Sequence, residues 1–252
     1  ANAGQEDCDN DDIGDLCDPD FPCNEPPDCR GAAIDDQVCD ANCKAAVSGG
    51  DVTGVTDPDG DPLDIFVIPS TLVLGPNTVS ILADDDNGGT CQTNITVNVI
   101  DLTLPEISCP ANIIVTNDPG ECSAVVSFIA PVGTDNCSGA NTSQTVGPTS
   151  GFAFPDGDTL IEFTVTDSSN NSAMCDFTVS VSDSEAPEIN CPADMESEPT
   201  SPAGASVTYT APVGLDNCPG VNIAQIDGLG PGATFPIGTT AETYAVNDGA
   251  DN

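Results

Sequence analysis

Apolar and polar residues alternate along most of the chain. Ile95/Val97/Val99, Ile161/Phe163/Val165, Phe177/Val179/Val181 and Val207/Tyr209/Ala211 are each separated by Thr, Ser, Asn or Glu. A period of two puts one set of side chains on each face of a pleated strand, so these runs predict half-buried antiparallel strands. Clusters of Pro, Gly, Asn and Asp interrupt them at intervals of roughly 8–12 residues, the spacing of short strands joined by turns. No apolar run repeats every 3.6 residues over a helical length. The pattern predicts an all-β protein made of small sandwiches of about seven strands each.

The strands recur in register. Ala130-Pro-Val-Gly-Thr-Asp-Asn-Cys137 returns 81 residues later as Ala211-Pro-Val-Gly-Leu-Asp-Asn-Cys218, Phe154-Pro-Asp-Gly157 as Phe235-Pro-Ile-Gly238, and Phe163-Thr-Val-Thr-Asp167 as Tyr244-Ala-Val-Asn-Asp248. Cys109-Pro-Ala111 returns as Cys191-Pro-Ala193. A third, more divergent copy covers 43–101, with Cys43-Lys-Ala-Ala-Val47 standing where Cys122-Ser-Ala-Val-Val126 stands. Fixed-period similarity of this kind marks one structural unit used repeatedly. The chain therefore divides into a Cys-rich segment at 1–42 and three copies at 43–101, 102–183 and 184–252.

The order C-P-A, C-S-A-V-V, A-P-V-G-x-D-N-C, F-P-x-G, F-T-V-T-D and M-C-D-F-T-V-S-V-S-D resembles the hyalin repeat (HYR) module, an immunoglobulin-like extracellular sandwich. The likeness is strong over 105–252 and weaker over 43–101. It implies tandem Ig-like β-sandwiches in a structural or adhesive surface protein, and it brings no catalytic residue with it.

Composition narrows the chemistry. The chain carries 42 acidic and 2 basic side chains, for a formal charge of −40, and no His or Trp. A field this negative repels phosphate backbones and anionic headgroups, which argues against nucleic-acid partners and membrane docking. The apolar runs are too short for membrane insertion. Nothing near Ala1 reads as a signal sequence, which leaves the expectation of a mature, processed chain. Without His, Ser–His and Cys–His catalysis cannot be assembled. A carboxylate-pair glycosidase needs no His, but only 10 aromatics serve three cores and any sugar platform.

Thirteen Cys in a chain with no His and no paired C-x-x-C knuckles point to structural disulfides and to a secreted, extracellular or cell-surface location. Comparison of the copies suggests pairings. The first copy has counterparts of Cys122 and Cys175 in Cys43 and Cys91 but Pro58 near the position of Cys137. The third has counterparts of Cys109 and Cys137 in Cys191 and Cys218 but Ala203 in place of Cys122. Cysteines that appear and vanish together are expected to be bonded together, giving Cys43–Cys91, Cys109–Cys137, Cys122–Cys175 and Cys191–Cys218. Cys8, Cys17, Cys23, Cys29 and Cys39 are then an odd remainder, leaving at least one thiol free, bridging subunits or paired outside this sequence.

Acidic residues are also placed for calcium, the one cofactor the sequence suggests. Asp7, Asp9, Asp11, Ile13, Asp15 and Asp18 spell D-x-D-x-D-x-I-G-D-x-C-D, which resembles a thrombospondin type 3 calcium loop. Alternate carboxylates there would wrap one hard cation while Ile13 lends its carbonyl, although Asp12 stands where that family has Gly. A second set lies at the copy junctions: Asp101 and Glu106 with Asp135 and Asp167, and Asp183 and Glu188 with Asp216 and Asp248. Asp57, Asp59 and Asp61 form a further acidic loop. Turn formation accounts for these carboxylates equally well. Asn94, Asn136, Asn141 and Asn170 fit the N-glycan acceptor pattern.

Placing the third copy on the second puts Asn252 on Asn171, before the strand that holds Phe177, Val179 and Val181. Three readings are compatible with this: a longer polypeptide, a fragment, or a neighbouring copy that inserts its own strand. The last makes the chain the subunit of a homopolymer, a surface filament assembled head to tail by β-strand addition and stiffened by calcium and disulfides. The competing function is a ligand- or carbohydrate-binding adhesin segment of a longer surface protein.

Overall fold

The computed structural model describes residues 24–252. The chain divides into two compact units, one running up to Glu106 together with Thr134–Asn141 and Thr166–Ser172, the other comprising Ile107–Gly133, Thr142–Val165 and Ala173–Asn252.

The first unit holds one sandwich. Its strands are β1 (Gln37–Val38), β2 (Lys44–Ala46), β3 (Asp64–Ile68), β4 (Thr71–Val73), β5 (Gly75–Asp84) and β6 (Thr90–Ile100). One sheet has the order β1-β6-β5-β3, and β2 pairs with β4. The long β5/β6 hairpin is antiparallel throughout, whereas β1 runs parallel to the end of β6, with Gln37 opposite Val99. Val79 and Ile81 from β5, Val97 and Val99 from β6 and Leu72 from β4 are almost wholly buried together. Val97 and Val99 are inward residues of the predicted alternation, and Ile95 packs against the same core partly buried. Ile34, Cys39 and β1 also belong to this sandwich, so residues just before 43 pack here rather than in a separate head.

In the second unit the 102–183 copy repeats the design. It comprises β7 (Ile113–Thr116), β8 (Ser123–Val126), β9 (Asn141–Val146), β10 (Phe152–Pro155), β11 (Gly157–Thr166) and β12 (Ser172–Ser182). The sheet order is β7-β12-β11-β9, β8 pairs with β10, and β7 again runs parallel to β12. Phe154, Ile161, Phe163, Phe177, Val179 and Val181 fill the core. Phe128 lies edge-on to Phe154, Phe163 and Phe177 at centroid distances of 6.5, 6.3 and 5.1 Å.

The repeated motifs acquire physical reasons. A Cβ on Gly133 of A-P-V-G would stand 2.6 Å from Val165 Cγ2, and one on Gly214 would stand 2.8 Å from Val246 Cγ2. The motif glycine thus marks where the chain crosses directly over an inward valine. Gly157 and Gly238 of F-P-x-G have φ of +97° and +128°, the left-handed region that only Gly enters without strain.

The last copy contributes β13 (Glu188–Asn190), β14 (Ala205–Ser206), β15 (Val213–Leu215), β16 (Asn222–Asp227), β17 (Thr234–Phe235) and β18 (Thr243–Asn247). They form three two-stranded pairs: β13-β15, β14-β17 and β16-β18. β18 corresponds to β11, which has neighbours on both sides, yet β18 pairs only with β16. Among the described residues of this copy, Ala205 and Cys218 are the buried hydrophobic side chains.

All four sequence-derived disulfide pairings are overturned. The bonds are Cys29–Cys91, Cys43–Cys137, Cys109–Cys175 and Cys122–Cys218, not Cys43–Cys91, Cys109–Cys137, Cys122–Cys175 and Cys191–Cys218. The 102–183 copy closes on itself through Cys109 near its start and Cys175 on its last strand, while the last strand of the 43–101 copy is bonded through Cys91 to Cys29 in the preceding segment. Cys109 and Cys175 sit at the margin of one core. The other cysteine of each copy joins the Asp-Asn-Cys loop of the following copy. Cys39 is a buried free thiol and Cys191 an exposed one.

Candidate functional site

The side chains that matter most surround the two Asp-Asn-Cys loops. In the first unit, Cys137 is bonded to Cys43 and the Asn136 amide donates to the carbonyl of Asp40 (3.2 Å). In the second unit, Cys218 is bonded to Cys122 and the Asn217 amide donates to the carbonyl of Glu121 (2.9 Å). Asp135 and Asp216 cap their own loops, each accepting from the N–H of the cysteine two residues on, at 2.8 and 2.7 Å.

Beside each loop lies the carboxylate that ends the preceding strand region. Asp101 accepts from Thr103 N–H (3.0 Å) and Asp183 from Glu185 N–H (3.1 Å). A carboxylate oxygen of Asp101, one of Asp135 and Cys137 Sγ lie within 4.8 Å of one another, and Asp183, Asp216 and Cys218 repeat the arrangement. The fold thus brings Asp101 to Asp135, and Asp183 to Asp216.

Asp167 and Asp248 have a different task. Asp167 accepts from Ser169 N–H, Asn171 N–H and the Asn171 side chain, each at 2.8 Å, and that same amide donates to the Asp101 carbonyl. Asp248 repeats this with Ala250 and Asn252, whose amide donates to the Asp183 carbonyl. Their oxygens are spent on turns. Asp85, unremarked in the sequence, is the counterpart in the first copy, capping Asn87 and Gly89 and accepting from the Asn24 amide. Glu106 and Glu188 are exposed and contribute backbone pairing, to Thr134 and Leu215, instead of carboxylates to the clusters.

Asp57 accepts from the N–H groups of Asp59, Gly60 and Asp61, so that acidic loop is a capped turn with three carboxylates in one place. Asn94, Asn141 and Asn170 are exposed, whereas Asn136 is half-buried with its amide committed to Asp40. Asp7, Asp9, Asp11, Ile13, Asp15 and Asp18 lie outside the described residues. Cys39 is unremarkable in sequence, yet its Sγ stands 3.7 Å from Cys137 Sγ, and burial pushes its thiol pKa up, with Asp101 adding to the rise.

Burial alone would raise Asp85 and Asp248, but hydrogen bonds outweigh it, from the Asn24 amide and then the turn N–H groups at Asp85 and from the turn at Asp248, and hold both below the ordinary carboxylate range. A depressed folded-state pKa stabilises the protein above the unfolded value, about 3.9 for Asp, and that stability is lost as pH falls through the folded value. Thermal melting at 1 M salt, where the overall repulsion is screened, should therefore show a falling midpoint between roughly pH 5 and pH 2. A flat or rising midpoint would contradict it.

No helix among the described residues is long and apolar enough to cross a membrane. The HYR domain pattern matches residues 100–181 and 182–252. Hyalin of Strongylocentrotus purpuratus is 32% identical over 198 residues, covering 76% of this chain and 16% of that protein. Hyalin of Lytechinus variegatus is 33% identical over 189 residues, covering 71% and 35%. The Mus musculus protein named sushi, von Willebrand factor type A, EGF and pentraxin domain-containing protein 1 is 35% identical over 158 residues, covering 60% and 4%. The chain thus spans a minor part of each relative's length. With its repeated motifs, its strand order and this match over more than half its residues, the chain belongs to the HYR domain family.

Proposed function

We propose that the chain is an extracellular structural or adhesive protein whose copies join by β-strand addition at the third HYR repeat. The relationship to hyalins and the structural disulfides support an adhesion-type role outside the cell, with assembly rather than turnover as its chemistry.

One observation carries the assembly reading. The free edge of β18 adjoins a groove of about 900 Å³ in which Val207, Tyr209, Phe235 and Tyr244 stand among the carboxylates of Glu196 and Glu242, with Cys191 also on its wall. In the second repeat the corresponding edge is covered by β12, whose Phe177, Val179 and Val181 close the core. An extended segment with apolar residues at alternate positions would pair with β18 and fill the groove, and a second copy is the source that strand addition requires. An unpaired strand edge is otherwise an invitation to uncontrolled pairing.

Electron microscopy of the purified protein tests this. Uniform fibres are expected, with Cys191 alkylated more slowly in fibres than in dispersed chains. Monodisperse monomers at high concentration would contradict strand addition and favour the adhesin reading.

A further inference from the structure

The two Asp-Asn-Cys loops leave carboxylate oxygens unanswered. Asp101, only 4% exposed, has Oδ2 buried without a hydrogen-bond partner, as does Asp135 at Oδ1 and Asn136 at its side-chain oxygen. Asp183, 9% exposed, again leaves Oδ2 buried and unpartnered beside Asp216. The same defect therefore occurs twice, at matching positions of successive repeats. Burying an anion without a donor or a counter-charge is strongly unfavourable, and two carboxylates in contact repel.

The chain has no basic side chain to spare. Arg30 and Lys44 are its only two, Arg30 is paired with Asp28, and neither hydrogen-bonds to these carboxylates. The neighbouring sulfurs of Cys137 and Cys218 are tied up in disulfides and cannot act as thiolates. The free thiol of Cys39 stands beside Cys137 at the first pair alone, and the donors that both pairs share are hard carboxylate oxygens. That donor set excludes soft metals and suits calcium better than magnesium, which demands near-octahedral geometry.

We infer that each pair, Asp101 with Asp135 and Asp183 with Asp216, holds one calcium ion, the Asn136 side-chain oxygen assisting at the first. The ion ties the segment that precedes a repeat to the loop that carries its disulfide. Asp167 and Asp248 serve as positioning residues, holding the backbone of Asp101 and Asp183 through Asn171 and Asn252. This inference does not depend on strand addition.

Equilibrium dialysis of the full chain against radiolabelled calcium tests it. D101N and D183N should each bind one calcium fewer per chain than the unaltered protein, and the double variant two fewer. D176N removes the same charge from an exposed residue outside both clusters and should lose none. D135N and D216N retain an oxygen for the Cys137 and Cys218 N–H groups, so they give the same reading if an Asp101 or Asp183 variant fails to fold. Unchanged stoichiometry in the cluster variants, an equal loss in D176N, or equal filling by magnesium at the same concentration would overturn the assignment.

Discussion

Phe177→Ala is expected to destabilise the sandwich of residues 102–183 by about 3–5 kcal/mol, the usual cost of truncating a buried aromatic. Phe177 is 1% exposed at the middle of β12 and receives the edge of Phe128 at 5.1 Å. Three phenylalanines, Phe154, Phe163 and Phe177, share that one neighbour, so removing the closest leaves a cavity walled by rigid rings that cannot collapse into it. The chain has 10 aromatics in all, and no second layer of large side chains is available to take up the space. Phe152→Ala is the comparison, since Phe152 is 65% exposed and should cost less than about 1 kcal/mol. Denaturant unfolding followed by far-ultraviolet circular dichroism distinguishes them. A loss below about 1 kcal/mol for Phe177→Ala would mean the core is not packed as described.

The second large effect comes from the disulfide that leaves its own repeat. Replacing Cys122 and Cys218 together by Ser removes a bond with a sequence separation of 96 residues. Chain-entropy arguments put the lost constraint on the unfolded state at roughly 4–5 kcal/mol, near the upper end for any disulfide. The effect should concentrate in the third repeat, because its strands form isolated pairs and it buries few apolar side chains. Limited proteolysis should cut residues 191–252 of the double variant far faster than those of the unaltered chain, and unchanged cleavage would contradict this. The Cys43–Cys137 bond offers a less clean test, since Cys39 stands 3.7 Å from Cys137 Sγ, ready to replace Cys43.

The sandwich class and most inward residues were legible in the sequence because period-two alternation and burial share one cause, the pleat of the strand. Val97/Val99, Phe163/Val165 and Phe177/Val179/Val181 all point inward as the alternation requires. Cysteine pairing was not legible. Counting which cysteines vanish together cannot separate a bond within a repeat from one to the next. Pro58 opening the series and Ala203 ending it fit Cys43–Cys137 and Cys122–Cys218 as well as any internal scheme. Strand β1 was missed because two residues carry too little periodicity to register.

The carboxylates divide along the same line. Sequence spacing brought Asp101 to Asp135 and Asp183 to Asp216, since repeats preserve relative position. It could not say which oxygens turns consume. That was decided by backbone N–H groups of Ser169, Asn171, Ala250 and Asn252, which satisfy Asp167 and Asp248 and leave Asp101 and Asp183 wanting.

The first two copies are each bonded to the Asp-Asn-Cys loop of the copy that follows, through Cys43–Cys137 and Cys122–Cys218. Peptide mapping of the non-reduced protein, digested under acidic conditions that prevent thiol exchange, tests that most directly. It should recover peptides linking Cys43 to Cys137 and Cys122 to Cys218. Recovery of Cys109 linked to Cys137, or of Cys191 linked to Cys218, would contradict it.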